Sequence, residues 1–518
     1  MKSRSMKVSK FPWYVIPFSL YPPLSLWAYN LGQISLTATY RAFLACFFLG
    51  ILFLGLAWLW LRDWARAGIV TSLFLLFFFS YGHLYSYLEN VNISGVVIGR
   101  HRVLAGVWLI LLTLSVWWVV RKLRSPTAVH SSLNWIAVFL IAFPLFNFAV
   151  YGFSSWQENQ TDSGNTQDIS RALSDARPAA ENPPDVYYII LDGYGRSDVL
   201  RRELNFDNTS FLDRLRDEGF YIAQCSQSNY GMTALSLSSS LNMNYITSLG
   251  EEFTAENTNR YEPLWRLIKS SATEATFRKM GYHTVAFETG YDWTEFRNAD
   301  YFFAAPKQGL SGFESLVLRD SAAVIFDDLG VFDSIHFTPE DQKRNLILYV
   351  LDKMKSLPDI PGPKFVFIHL VIPHQPFVFG PNGEPLVVAQ RTLNADKYYS
   401  ETDYLRGYGN QVRFISSQIP DLMKSIIEDS STPPLIIIQG DHGPAQLEKE
   451  NRMGILNAYY FPERKDALYS TITPVNTFRL VFNTFFGTDL ELLPDTSYYS
   501  KYSKPYAFET IPNTCTTP

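Results

Sequence analysis

The first 150 or so positions carry five long runs of apolar and aromatic residues, at about 13–31, 42–61, 69–88, 103–120 and 135–153, with polar residues gathered in the short breaks between them. Each run has roughly the 17–25 residues that a helix needs to cross a bilayer. Runs such as LACFFLGILFLGLAWLWL have no polar face to present to water. The pattern predicts five membrane helices. Pro17, Pro22 and Pro23 make the first irregular and Pro144 interrupts the fifth, breaks that packing against neighbouring helices can compensate. Residues 154–184 are polar, end in Pro183–Pro184 and form a linker.

From residue 185 the period changes. DVYYIILDG, FYIAQC, HTVAFETG, KFVFIHLVIPH and PLIIIQGDHG have the character of buried strands, and all but the second are apolar without alternation. Amphipathic stretches such as SFLDRLRDEG, EPLWRLIKSSATEATFRKMG and QVRFISSQIPDLMKSIIED fall between them. This alternation predicts a mainly parallel sheet sandwiched by helices. The expected organisation is a five-helix transmembrane region (1–153), a polar linker (154–184) and one α/β domain (185–518).

Charge adds orientation. The formal net charge of −5 averages over two unlike parts, and no basic tract suggests a nucleic-acid partner. Lys2, Arg4, Lys7 and Lys10 precede the first run, Arg62 and Arg66 follow the second, and Arg121, Lys122 and Arg124 follow the fourth. All lie on one side if the N-terminus is cytoplasmic, against Arg41, Arg100 and Arg102 on the other. An odd number of spans then places the α/β domain outside the cytoplasm of a multi-pass membrane protein. The first run is long, rich in proline and without a small-x-small cleavage site, so it is expected to stay as a helix rather than be removed as a signal peptide. Of the three cysteines, Cys46 lies in a membrane run, while Cys225 and Cys515 are free to pair in an oxidising compartment.

Candidate chemistry collects at strand ends. The first strand ends at Asp192, a later one runs through His369 to His374, and another ends at Asp441–His442. In open α/β sheets ligands bind outside the carboxyl ends of the strands, so these groups are expected to converge. Asp and His together suit zinc or manganese. Taken singly, an Asp after a strand also serves as a turn or cap residue, and His369 inside FVFIHLV also reads as a satisfied core histidine. Thr233, after Gly231 and where a helix begins, is the candidate nucleophile, with a helix N-cap as its alternative role. Ser226 and Ser228 are the other hydroxyls of that loop.

In this order, YYIILDGYGRSD, SNYGMTALSLSSSLNM, HLVIPHQPF and IIIQGDHG resemble the alkaline phosphatase superfamily. The similarity is to its membrane-anchored, sulfatase-like transferases: lipoteichoic acid synthase, phosphoethanolamine transferases and phosphoglycerol transferases. The resemblance covers nearly the whole chain, since those proteins also carry five N-terminal spans and one extracytoplasmic domain. It implies that Asp192, Asp441 and His442 bind one divalent metal, zinc or manganese, together with Thr233. It also implies that Thr233 is the nucleophile and that His374 contacts the phosphate or leaving group.

The departures are equally specific. The formylglycine signature of sulfatases, Cys or Ser followed by x-Pro-x-Arg, is absent, because Cys225 begins CSQSN. Glu288 stands in FETGYDW where lipoteichoic acid synthase carries a His, which implies a headgroup with a cationic amine. The His that phosphoethanolamine transferases carry after the DHG motif is missing from DHGPAQLEKENRM.

The expected activity is transfer of a phosphoethanolamine- or phosphoglycerol-type headgroup from a membrane phospholipid to an envelope glycan or lipid, through a phospho-threonine. Glu288 and His369 are the expected substrate contacts. The rivals are a phosphodiesterase or sulfatase of the same superfamily, and a non-catalytic membrane assembly protein.

Overall fold

The computed structural model describes residues 11–31, 34, 36–88, 91–93, 96–97, 101–158, 169, 171–179, 181–254, 260–306, 309–328, 339–386 and 400–515. Of the linker expected at 154–184, residues 159–168, 170 and 180 lie outside them. Two compact units result.

The first unit holds the apolar N-terminal helices: α1 (Val15–Tyr29), α2 (Leu36–Leu61), α3 (Trp64–Leu88), α4 (His101–Arg121) and α5 (Pro126–Glu158). Among the described residues four helices are long and apolar enough to cross a membrane, at Leu36–Leu61, Trp64–Leu88, Val103–Arg121 and Ala128–Phe153. Of the five expected spans, four meet that length and α1 does not. At about 1.5 Å per residue, the 15 residues of α1 fall short of a hydrocarbon core about 30 Å thick. The unit also takes in Gln308–Pro339, which in sequence belongs to the later part of the chain.

The second unit is built on a seven-stranded sheet. Its strands are β1 (Val186–Leu191), β2 (Tyr221–Ile222), β3 (His283–Phe287), β4 (Tyr301–Phe303), β5 (Lys364–Leu370), β6 (Leu435–Gln439) and β7 (Asn457–Tyr460), in the order β2-β7-β6-β1-β5-β3-β4. The five strands from β6 to β4 are parallel, and β7 and β2 add an antiparallel edge. β1 lies at the centre and is buried on both faces, which is why VYYIIL lacks alternation. Tyr187, Ile189 and Leu191 enter one core, while Val186, Tyr188 and Ile190 enter the other.

Helices cover both faces. α6 (Thr233–Leu241) and α10 (Pro474–Phe485) pack on the Tyr188 side, and α8 (Pro339–Met354) and α9 (Glu401–Asp429) on the Leu191 side. A seventh helix of the labelled set, α7 (Gly312–Arg319), belongs to the first unit. A hairpin of β8 (Ser497–Lys501) and β9 (Lys504–Ile511) precedes the C-terminus. Cys225 and Cys515 form a disulfide, which fastens that terminus to the loop before α6.

Asp185 holds the sheet at its amino end. Its carboxylate accepts the Lys364 backbone N–H and pairs with the buried Lys364 ammonium, and its carbonyl accepts from Leu435 N. Removing one partner of a buried pair leaves the other charge uncompensated, at a cost of about 3–5 kcal/mol. Asp185→Ala is therefore expected to lower the unfolding free energy of this unit by about that amount, and Asp185→Ala combined with Lys364→Met by less. Equilibrium denaturation of the three proteins checks it; equal losses in single and double variants would contradict it.

Candidate metal centre and nucleophile

The site forms where β1, β5 and β6 end side by side. Register pairs Leu191 with Leu370 and Ile190 with Gln439, so residues just beyond these strands are neighbours. Asp192 follows β1 directly, and its backbone N–H donates to Leu370 O at 2.9 Å. Gly193 turns the chain with φ +78°, a left-handed conformation that glycine adopts without a steric penalty. Its N–H donates to Asp441 Oδ1 at 3.0 Å. Gly440, just after β6, lies so close to Tyr194 that a Cβ would come 2.4 Å from its carbonyl oxygen. Only glycine lets the two strand ends approach this far. Tyr408 of α9 locks the turn from behind, donating to Gly193 O and accepting from Gly195 N.

Arg452–Leu456 ties these pieces to the nucleophile loop through its backbone. Arg452 O accepts from Gly443 N, Met453 O from Ser228 N, and Gly454 O from Arg196 N; Leu456 bonds both Tyr194 and Gly440. Three separate turns are thus held by one short segment.

The side chains converge as the strand-end argument requires. His369 Nε2 lies 3.2 Å from Asp192 Oδ2. His442 Nε2 lies 3.7 Å from both Asp192 Oδ1 and Asp441 Oδ2, and 3.4 Å from the Thr233 hydroxyl. The ligand atoms of Asp192, His374 and His442 fall within 4.8 Å of one another, as do those of Asp192, His369 and Asp441. His442 and His374 each donate Nδ1–H to a backbone carbonyl, Gly443 O and Gln375 O, which fixes the neutral tautomer and leaves the Nε2 lone pair free.

These residues fit a divalent cation. Asp192 and Asp441 are 5% and 0% exposed, and Asp192 Oδ1, Asp441 Oδ2 and His369 Nδ1 are buried without a hydrogen-bond partner. A buried orphan acceptor costs about 1–3 kcal/mol, more when charged, and two adjacent carboxylates repel. A cation removes both penalties. Burial opposes ionisation of Asp192, yet the positive charges of His374, His369 and His442 hold its carboxyl well below the usual range. Burial pushes the His374 imidazole down.

Thr233 is the first residue of α6. Met232 occupies the cap position in an extended conformation, and no side chain caps the helix. The hydroxyl instead faces His442 Nε2. Ser226 and Ser228 are fully buried and occupied: Ser226 donates to Ile472 O and accepts from Asn457, and Ser228 bonds Met453 O. Glu288 sits on the β3–β4 edge, its carboxylate accepting from Ala305 N.

Two cations went unnoticed in the sequence. Lys343 of α8 donates to the carbonyls of His374 and Pro376, and burial pushes its pKa down to about 7, against the pull of Asp192. Arg452, 7% exposed, reaches Ala445 O and Tyr502, and its Nε lies 3.8 Å from where a Cβ on Gly231 would stand. Among the described residues it has no carboxylate partner, and its Nε is buried without an acceptor. Neither residue stands in a motif; a cation on a solvated helix face has the same local sequence.

Removal of the metal-fitting charge has a signed consequence. Asp441→Asn keeps the Oδ1 that accepts Gly193 N but relieves the carboxylate repulsion. Under chelation it is expected to melt at or above the native chain, and on adding zinc or manganese to gain far less. A ligand at 100 times Kd stabilises by about 2.7 kcal/mol, which sets the shift expected of the native chain. Thermal melts with and without metal decide it, and an equal metal-induced gain in both proteins would contradict the assignment.

The model of the family described as Sulfatase matches residues 184–479, more than half of the chain. Comparison with curated proteins finds no match.

Solved structures do resemble it. The C-terminal periplasmic domain of EptC from Escherichia coli, in complex with zinc, is 12% identical with a TM-score of 0.41, over 64% of this chain and 93% of that one. The soluble domain of lipooligosaccharide phosphoethanolamine transferase A from Neisseria meningitidis is 12% identical, TM-score 0.37, over 58% and 88%. A 2-O GAG sulfatase is 14% identical, TM-score 0.39, over 60% and 71%.

Proposed function

The chain belongs to the sulfatase family, and from that premise we propose that it transfers a phospho-headgroup, of the phosphoethanolamine or phosphoglycerol type, from a membrane phospholipid to an envelope glycan or lipid. The observation that carries this reading is the Thr233 hydroxyl, held at the start of α6 and 3.4 Å from His442 Nε2 beside the carboxylates. A lipid donor fits a chain that also carries four helices of membrane length.

Asp192, Asp441 and His442, with the Thr233 oxygen, would hold one zinc or manganese ion, and His369 backs Asp192. Such a cation, when bound, supplies Lewis acidity that lowers the hydroxyl pKa and neutralises the transferred group. The chain's own groups do the rest. The Thr233 Oγ1–phosphorus bond forms as the bond from phosphorus to the glyceride oxygen breaks. The threonine proton passes to solvent, and His374, acting as the imidazolium that the charge of Asp192 favours, gives its Nε2 proton to departing diacylglycerol. In the second half the acceptor hydroxyl bonds phosphorus, returns its proton to His374, and Thr233 regains one from solvent. Arg452 and Lys343 add positive charge around an anionic reactant. Glu288 is the candidate contact for a headgroup amine. Hydrolysis is the same scheme with water as acceptor, and the family membership equally admits it.

Two experiments test the reading. Thr233→Ala and Thr233→Asn should both abolish turnover while the fold and metal content persist, and Thr233→Ser should keep part of it. Near-normal activity in Thr233→Asn would remove the nucleophile. Labelled headgroup recovered on a non-water acceptor, rather than as free phosphate ester, separates transfer from hydrolysis.

Topology is a third test. The proposal places the catalytic unit outside the cytoplasm, with α1 completing a fifth, short crossing; the Cys225–Cys515 disulfide supports an oxidising compartment. A reporter active only outside the cytoplasm should be active when fused after Pro184 and silent after Arg124. The opposite pattern would reject the localisation.

A further inference from the structure

The helical unit contains a cavity of about 1100 Å³ walled by α1, α3, α4 and α5 and roofed by Val317 and Asp320 at the end of α7. It is partly open rather than enclosed, and pockets that hold small ligands run to about 300–1,000 Å³. A space this large is not a packing defect. Its walls are overwhelmingly apolar, so water gains little there, and apolar cavities stay dry. Walls left without contacts lose dispersion energy. The filler these walls favour is hydrocarbon.

The cavity is also polarised. His83 and Asp320 are the lining side chains able to carry charge near neutral pH, and both lie at one end, where the last turns of α3 meet the roof. The roof itself is built rather than incidental. Arg41 of α2 pairs with Glu314 and donates to Gly309 O, and Glu314 closes a capping box with Ser311. At the other end of α7, Ala322 N donates to Phe78 O. Gly82 lets the backbone there approach so closely that a Cβ would come 2.1 Å from Arg319 O.

We propose that this cavity is a binding site for the hydrocarbon chains of one membrane lipid, with its polar head at the His83–Asp320 end. The inference rests on the membrane reading of these helices and does not depend on the phosphotransfer reading.

The test uses the full-length chain in a mild detergent, stripped of loosely held lipid and examined by native mass spectrometry and lipid extraction. The native protein should retain a single long-chain amphiphile per chain. Ser72→Phe and Ser115→Trp each put bulk into the cavity from a small lining residue. Both should lose the retained lipid while melting no lower than the delipidated native chain. His83→Leu should keep a lipid but change which headgroups are retained. Thr233→Ala should retain lipid like the native protein, so a failed nucleophile assignment leaves this result standing. The proposal is overturned if the native chain retains none, or if both filled variants fold and retain as much as it does.

Discussion

Two carboxylates brought together away from water are the constraint from which the rest of the catalytic unit follows. Asp192 and Asp441 sit at the ends of adjacent parallel strands, each with one oxygen that no protein group satisfies. Such a pair is unstable by itself, so every surrounding feature either enforces it or offsets it. Glycines at 193 and 440 let the turns approach, the Tyr408 hydroxyl locks one of them, and the Arg452–Leu456 backbone binds both. Three imidazoles then crowd the acids, and the tautomers of His374 and His442 direct lone pairs inward. The arrangement is strained in charge, not in backbone, which is the signature of a site formed for a cation.

What the sequence revealed depended on how far a signal reaches along the chain. β1, β5 and β6 were legible because central parallel strands are buried on both faces, and the ionisable residues closing such runs were the obvious candidates. β7 was not: Asn457–Tyr460 forms an antiparallel edge, and four residues carry too short a pattern. α1 was read as a span from its composition, although only 15 residues are helical and Pro22 and Pro23 lie within them. Thr233 was placed correctly at a helix start, but only coordinates separate the cap position, held by Met232, from the first helical residue. Arg452 and Lys343 were invisible because their relevance arises from contacts across more than 200 and about 30 residues, respectively.

Chain order proved a poor guide in one further place. The described residues 309–328 interrupt the α/β sequence between β4 and β5, yet they belong with the helices of the first unit. The reason is visible in α7. Phe313 and Val317 are buried with Ala42 and Cys46, and the Arg41–Glu314 pair fixes the helix start. An amphipathic helix without an apolar partner in its own neighbourhood finds one elsewhere, and no local pattern says where.

The geometry also ranks the forces acting on Thr233. α6 is buried over nearly its whole length, and two of its serines bond inward, Ser238 to Leu264 O and Ser239 to Asn244 O, so that small side chains allow close packing. That packing aims the helix N-terminus at the carboxylates. The helix dipole contributes about 0.3–1 kcal/mol to a negative charge there, up to about 2 when partly buried. Activating a hydroxyl whose pKa lies far above neutrality needs much more, since each unit shifted is 1.36 kcal/mol. The dipole is therefore too weak to make the nucleophile by itself. Under the proposed reading its helix supplies position, and activation comes from the cation that Asp192, Asp441 and His442 would hold.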